Sequence, residues 1–203
     1  LAYWDNLLAE KGAFLLQTRI QALDELESFA NQIHRSLTAD MEILQFSYQP
    51  AIGNGYQEKD SLSIGNLKDL QDFFLERLKE KRNEDLARGI TTIGPHRDEL
   101  RFLINKVDIG TYGSRGQIRS TMMSLKIGEL AFMEKRSGQK PVLLLDETLA
   151  ELDEKRRSRL LETVAEGNQT ILTTTDLKLF TPEFTNDASI WHIHQGIIQP
   201  RPA

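Results

Sequence analysis

The run Val142-Leu143-Leu144-Leu145-Asp146-Glu147 joins four apolar residues to two carboxylates. An uninterrupted apolar run that stops at an acid is the pattern of a parallel strand buried on both faces. Such a strand delivers Asp146 and Glu147 to the carboxyl edge of a sheet, where open α/β folds bind ligands. A carboxylate there holds magnesium, often through water, and its neighbour can polarise an attacking water. Apolar strands ending in Asp-Glu occur in many folds, so the pair means little without company.

Three further segments supply that company. Gly113-Ser114-Arg115-Gly116-Gln117 stands at the mouth of a helix. A small hydroxyl, flexible glycines and unpaired N–H groups make an anion site there, and the same residues also suit an ordinary serine N-cap. Ala150-Glu151-Leu152-Asp153 follows the two acids at the spacing of a dimer-contact loop. Thr173-Thr174-Thr175-Asp176 ends the next strand, where its hydroxyls can face the same sheet edge.

Other chemistry-bearing residues leave two readings open. In Gly94-Pro95-His96-Arg97-Asp98, the His-Arg pair can sense nucleotide or meet DNA phosphate. Alternatively the loop is a structural knot in which Asp98 pairs with Arg97 or caps a backbone donor. Lys155, Arg156, Arg157 and Arg159 crowd the first turns of a helix, where the dipole disfavours positive charge. That conflict suggests phosphate or an acidic partner, with a solvated helix face as the alternative. His192 and His194 alternate on a strand, but no cluster of further ligands surrounds them.

The elements that must position these residues follow from periodicity. Leu16, Ile20, Leu23, Leu26, Ala30, Ile33 and Leu37 line one stripe of a long helix from Trp4 to Leu37, which Gly12 is expected to interrupt. Leu44, Phe46 and Tyr48 alternate on a strand from Glu42 to Tyr48, and Pro50 with Gly53-Asn54-Gly55 forms a loop. A second helix covers Leu67 to Arg88 and ends at Gly89. Two helices flanking a small strand-and-loop tip suggest an antiparallel arm over residues 1–88; a compact helical subdomain fits the same pattern. Beyond Gly89, Ile90 to Ile93 is short and β-prone. A hairpin is expected around Asn105-Lys106, with strands Arg101 to Ile104 and Val107 to Ile109. A third helix runs from Gly116 to Lys135 before Ser137-Gly138, and Asp153 caps a fourth that continues to Glu166, before Gly167. Thr170 to Thr174 is a strand, and a closing hairpin turns at Gln195-Gly196. Strands alternating with helices over residues 139–198 indicate an α/β layer, so residues 89–203 read as an α/β lobe.

Composition bounds the rest. With 203 residues, 39% hydrophobic and 27% charged, the chain can build a core and is neither disordered nor collagen-like. No apolar run approaches the ~20 residues of a membrane helix, so no membrane partner is expected. The absence of cysteine removes disulfides and thiolate metal sites, and fits a reducing, cytoplasmic setting. A net charge of −5 argues against a uniformly basic coat for nucleic acid but leaves room for a local basic patch. The chain starts at Leu1 inside a helical pattern and is expected to be a piece of a longer protein.

In order, these motifs resemble the head of the ATP-binding cassette class: signature, Walker B strand with catalytic carboxylate, D-loop, switch strand. With Gly94-Pro95-His96-Arg97-Asp98-Glu99-Leu100 ahead of the signature, and Trp4-Asp5, Leu8 and Gly12 at the start, nearly the whole chain resembles the RecF family of DNA replication and repair proteins. The resemblance implies the C-terminal half of a P-loop NTPase head of the cassette type with an inserted helical arm. It implies Asp146 as the magnesium ligand and Glu147 as general base. Ser114, Arg115, Gly116 and Gln117 would be the signature that reaches the γ-phosphate of ATP held by a partner subunit. Ala150, Glu151, Leu152 and Asp153 would lie along a dimer seam, and Thr175 would occupy the switch position. The cofactors implied are ATP and Mg2+. The partners implied are DNA at single-strand/double-strand junctions, a second copy joined through ATP, and RecR, RecO and RecA, in gap repair and SOS induction.

Departures from the family pattern are Arg115 in place of a usual Gln, Ile118 in place of a polar residue, Asp-Glu for a frequent Asp-Asp, and Lys106 at the usual hairpin glycine. The largest is an absence: no Gly-x-x-x-x-Gly-Lys-Ser/Thr occurs, so the phosphate-cradling loop is expected upstream of Leu1 and this chain alone should not hydrolyse ATP. The alternative reading is a non-catalytic dimerisation or protein-interaction module derived from such a head. A head cut through its sheet is also expected to expose apolar surface.

Overall fold

The first helix, α1 (Ala2–Leu37), is 36 residues long and packs its two halves against different partners. In the computed structural model, which describes residues 2–53, 66–165 and 169–200, no break occurs at Gly12. The glycine serves close packing instead: a Cβ there would lie 2.0 Å from Cε1 of Phe74. Phe74 belongs to α2 (Leu67–Arg88), and with Leu70 and Leu78 it packs on Ala9, Ala13, Leu16 and Ile20 of α1. The Asn66 side chain caps the start of α2 and Gly89, at φ 66°, ends it. Of the loop expected at Gly53-Asn54-Gly55, the last two residues lie outside the described part, as do Glu166 and Gly167.

Between the helices, β1 (Leu44–Gln49) pairs antiparallel along its whole length with β2 (Glu99–Ile104). β3 (Val107–Asp108) completes the three-stranded sheet. Residues before and after position 88 therefore share one sheet. Asn105 and Lys106 turn the β2–β3 hairpin with φ of 49° and 70°, the two positive values a two-residue type I′ turn requires. Ile109, expected in the strand, instead opens the single turn α3 (Ile109–Tyr112), because Asp108 accepts from the Gly110 N–H at 2.8 Å. Nor is Ile90 to Ile93 a strand. Asp85 at the end of α2 draws in both the N–H and the hydroxyl of Thr92, and Ile93 buries its side chain in the α1–α2 core.

The second half of α1 lies against α4 (Arg115–Ser137). The two helices come close at Gly128, where a Cβ would stand 2.8 Å from the Ala30 nitrogen. β4 (Leu143–Asp146) and β5 (Thr170–Thr173) pair in parallel, linked by α5 (Glu154–Ala165), the expected α/β arrangement. Leu143 and Leu145 join Met123, Ile127, Leu160, Leu161 and Val164 in one core. The other face of β4 was expected to be buried and is not: Leu144 is 68% exposed and Ile171 beside it 52%. The described sheet here has two strands and its helices cover one side, so a run of leucines alternates in burial. The short helix α6 (Pro182–Asn186) precedes the hairpin β6 (Trp191–His194) and β7 (Ile197–Pro200), which turns at Gln195-Gly196 as expected.

Candidate functional site

The parallel register sets Asp146 directly opposite Thr173. Thr173 donates its hydroxyl proton to Asp146 Oδ1 and accepts from the Glu147 N–H at 3.0 Å. Two residues on, Thr175 donates to Glu147 Oε1 at 2.9 Å. One strand end thus carries both acids, and the next strand end carries the hydroxyls that orient them. All four residues are exposed.

Glu147 holds φ 50° and ψ 17°, a left-handed conformation that costs a residue with a Cβ about 1–2 kcal/mol. The Thr173 hydroxyl anchors its N–H, and the turn Thr148–Glu151 begins immediately after. The bend turns the chain away from β4, and the Glu147 side chain caps nothing in that turn. An exposed carboxylate on a bent, anchored backbone, beside a second carboxylate held by a hydroxyl, suits a magnesium ion that keeps most of its waters. Among the described residues no group of three or more His, Asp or Glu is placed to chelate a metal, so a metal held here would take the remaining ligands from water and substrate phosphate.

Ser114 caps α4 in a reciprocal box. Its Oγ accepts from the Gln117 N–H at 3.2 Å, and Gln117 Oε1 accepts from the Ser114 N–H at 3.0 Å. The two readings of this segment thus coincide in space, since the capping hydroxyl stands at the exposed N-terminus of a 23-residue helix.

The segment 150–153 closes on the same region. Asp153 accepts from the Arg156 N–H at 3.0 Å and from its Nη1 at 2.9 Å. These bonds, the backbone one foremost, hold the Asp153 carboxyl below the usual carboxylate range. A Cβ at Gly116 would come within 3.3 Å of the same Nη1. Arg156 therefore bridges the cap of α5 and the first turn of α4. Leu152 is buried, Ala150 is exposed, and the side chain of Glu151 lies outside the described part.

The remaining cationic candidates separate. Arg157 gives Nη2 to the Leu152 carbonyl, and Arg159 gives Nη1 to the Ser36 carbonyl at the end of α1. Lys155 is exposed. His96 and Arg97, also exposed, both turn to the Thr91 carbonyl. Asp98 does not pair with Arg97. Its side chain, 1% exposed, accepts from Arg19 Nη1 at 2.8 Å, from the Ala51 N–H at 2.8 Å and from the Tyr48 hydroxyl. Burial foremost, and the bond to Asp98 next, push the Tyr48 phenol well above its ordinary pKa. The knot is real, but its cation comes from α1.

Sequence reasoning passed over His34 and Glu42, which lie behind the α4 cap. His34 is fully buried between α1 and α4, and burial pushes its pKa down. The signal was present: His34 stands four residues after Ala30 on the apolar stripe of α1.

No family model matches the chain. Among curated relatives, the DNA replication and repair protein RecF of Halothermothrix orenii is 38% identical over 198 residues, which are 98% of this chain and 51% of that protein. RecF of Chloroflexus aurantiacus is 39% identical over 200 residues, 97% of this chain and 48% of the relative. The chain thus spans about half the length of the curated relatives it matches. Two solved structures, described as the recombination mediator protein RecF-ATPrS and RecF-ATP in the RecFOR pathway, match with TM-scores of 0.80 and 0.79 at 28% and 27% identity. Each covers all of this chain, which covers half of each. With the α/β fold of those structures and this identity to RecF proteins of two organisms, the chain is a homologue of the C-terminal part of RecF.

Proposed function

We propose that this chain is the signature-bearing half of a RecF-type ATPase that acts in DNA replication, gap repair and the SOS response. The observation that carries the reading is the pairing of Asp146 and Glu147 with Thr173 and Thr175 across β4 and β5. Asp146 would hold Mg2+ through water, where the ion would neutralise charge on the phosphates of ATP. Glu147 accepts a proton from the water that attacks the γ-phosphorus. Thr175 keeps the Glu147 carboxylate aimed, in the switch position. Ser114, Arg115, Gly116 and Gln117 present the N-terminal end of α4 to the γ-phosphate bound by a second copy. Ala150 to Asp153 line the seam between the copies. Support for a half-site comes from the absence of a Gly-x-x-x-x-Gly-Lys-Ser/Thr loop in the chain and from relatives about twice its length.

In this reading residues 1–88 supply an arm that is continuous with the α/β lobe, because β1 pairs with β2 and the second half of α1 lies against α4. The protein works in the cytoplasm on DNA at single-strand/double-strand junctions, with RecR, RecO and RecA as partners. His96, Arg97, Lys155, Arg156 and Arg157 are the candidate contacts to DNA or nucleotide; of these, His96, Arg97 and Lys155 are exposed.

The test uses the complete protein that carries this chain. Glu147→Gln is expected to keep ATP-driven dimerisation, read by sedimentation, while turnover falls at least about a hundredfold, as loss of a general base does. Undiminished turnover removes Glu147 from the mechanism. Ser114→Arg is expected to block dimerisation and leave ATP binding by the monomer intact; dimers that persist remove the role of the signature in trans.

A further inference from the structure

The cap of α4 is tied from behind to a polar chain that the proposed chemistry leaves unused. His34 Nδ1 lies 3.0 Å from Ser124 Oγ, and its Nε2 lies 3.1 Å from Glu42 Oε2. The other carboxylate oxygen of Glu42 accepts from Gln117 Nε2 at 3.1 Å. Gln117 then closes the box on Ser114. The chain joins α1, the corner between α1 and β1, and the exposed end of α4.

Donor accounting gives the chain a direction. Burial lowers the pKa of His34, with Glu42 and Arg156 the charges that act on it, so the ring is neutral at pH 7. A neutral ring that donates from Nε2 to a carboxylate must accept at Nδ1. The Ser124 hydroxyl, whose other acceptor is the Ser120 carbonyl at 2.7 Å, supplies that proton by turning from the carbonyl to the ring. On the other side, Gln117 Oε1 is committed to the Ser114 N–H, which leaves its Nε2 to donate to Glu42. Donors therefore converge on Glu42 from both sides. Because Glu42 takes the amide end of Gln117, it fixes the orientation that keeps the carbonyl end on Ser114.

Resting on the assignment of Ser114 and Gln117 to the signature, we infer that Glu42 and His34 are positioning residues for that turn. They hold the Gln117 amide in the orientation that closes the Ser114 cap. They also couple the end of α1 to the surface that meets nucleotide. Neither residue touches nucleotide in this assignment; both act through Gln117.

Four variants of the complete protein test this, read by ATP-driven dimerisation, turnover and ATP binding to the monomer. Glu42→Ala is expected to weaken dimerisation and turnover about tenfold, the loss of one hydrogen bond to a charged group, with monomer ATP binding unchanged. Leu16→Ala, in the distant α1–α2 core, is the stability control and should lower the melting temperature without weakening dimerisation. Glu42→Gln should restore function, because its carbonyl can accept from Gln117 while its amide donates to His34. That exchange requires His34 to carry its proton on Nδ1 instead of Nε2, which the imidazole nitrogen chemical shifts report even if Glu42→Ala fails to fold.

Wild-type dimerisation and turnover in Glu42→Ala, with Ser114→Arg inactive, overturn the inference and leave the signature reading standing. An unchanged His34 tautomer in Glu42→Gln also overturns it. If Ser114→Arg dimerises normally, the signature reading fails and this inference falls with it.

Discussion

Thr175 donates its hydroxyl proton to Glu147 Oε1 at 2.9 Å, joining residues 28 positions apart in sequence. The bond reaches from just beyond β5 to just beyond β4, and under the proposed function it orients the Glu147 carboxylate. Thr175→Val keeps the shape and removes the donor. Turnover of the complete protein is expected to fall about tenfold with ATP binding unchanged, and Thr175→Ser to recover most of it. Steady-state turnover with a parallel nucleotide-binding titration checks this. Equal turnover in the valine variant means the hydroxyl does not orient the base.

Gly128 lets α4 approach α1 at Ala30. With a Cβ only 2.8 Å from the Ala30 nitrogen and 2.9 Å from its Cα, Gly128→Ala must push the helices apart against backbone that cannot yield. A loss of about 1–3 kcal/mol is expected from overpacking, read as a lower urea midpoint. Gly138→Ala makes the contrast, since nothing lies within 4 Å and only its φ of 68° is strained. It should cost about 1 kcal/mol.

Asp98 accepts from three donors, so Asp98→Asn turns one acceptor oxygen into a donor facing other donors. Because Arg19 is 39% exposed, the ion pair itself contributes little, and most of the cost lies in the buried bonds from Tyr48 and Ala51. Destabilisation of about 2–3 kcal/mol is expected, with faster amide exchange over residues 94–98. Wild-type exchange rates there would show that the knot does not hold the loop.

The lowered pKa of His34 sets a sign for stability against pH. Below the ordinary value of 6.5 the unfolded ring takes a proton that the buried ring refuses. The stabilisation is therefore complete above pH 6.5 and is lost as pH falls through the lower folded value. Urea midpoints recorded down this range should decline in the wild-type protein. In His34→Gln the decline should flatten by the share of one group; an identical slope in both proteins shows that His34 does not titrate with folding.

Much of the fold was legible because its signals are local. The apolar stripe of α1, the Gly89 that ends α2, the Asn105-Lys106 turn and the Ser114 cap of α4 each lie within a few residues of the conformation they determine. The carboxylates and threonines were legible as residues of two strand ends for the same reason. Less legible was Ile90 to Ile93, whose β-prone side chains are overruled by the bonds of Asp85 to Thr92 and by the burial of Ile93 in the α1–α2 core. Burial of Leu144 was also misread, because four consecutive leucines and valines look alike whether one face of the sheet is covered or both.

The sequence by itself determined which segments bend, which coil and which chemistry each carries. Tertiary structure alone decided that Thr173 and Thr175 hold Asp146 and Glu147, that Arg19 rather than Arg97 meets Asp98, and that Glu42 stands behind Gln117. Those partners are separated by 26 to 79 residues. A hydrogen bond depends on a few tenths of an ångström and on the direction of a donor. Spacing along a chain carries neither until helices and strands have packed.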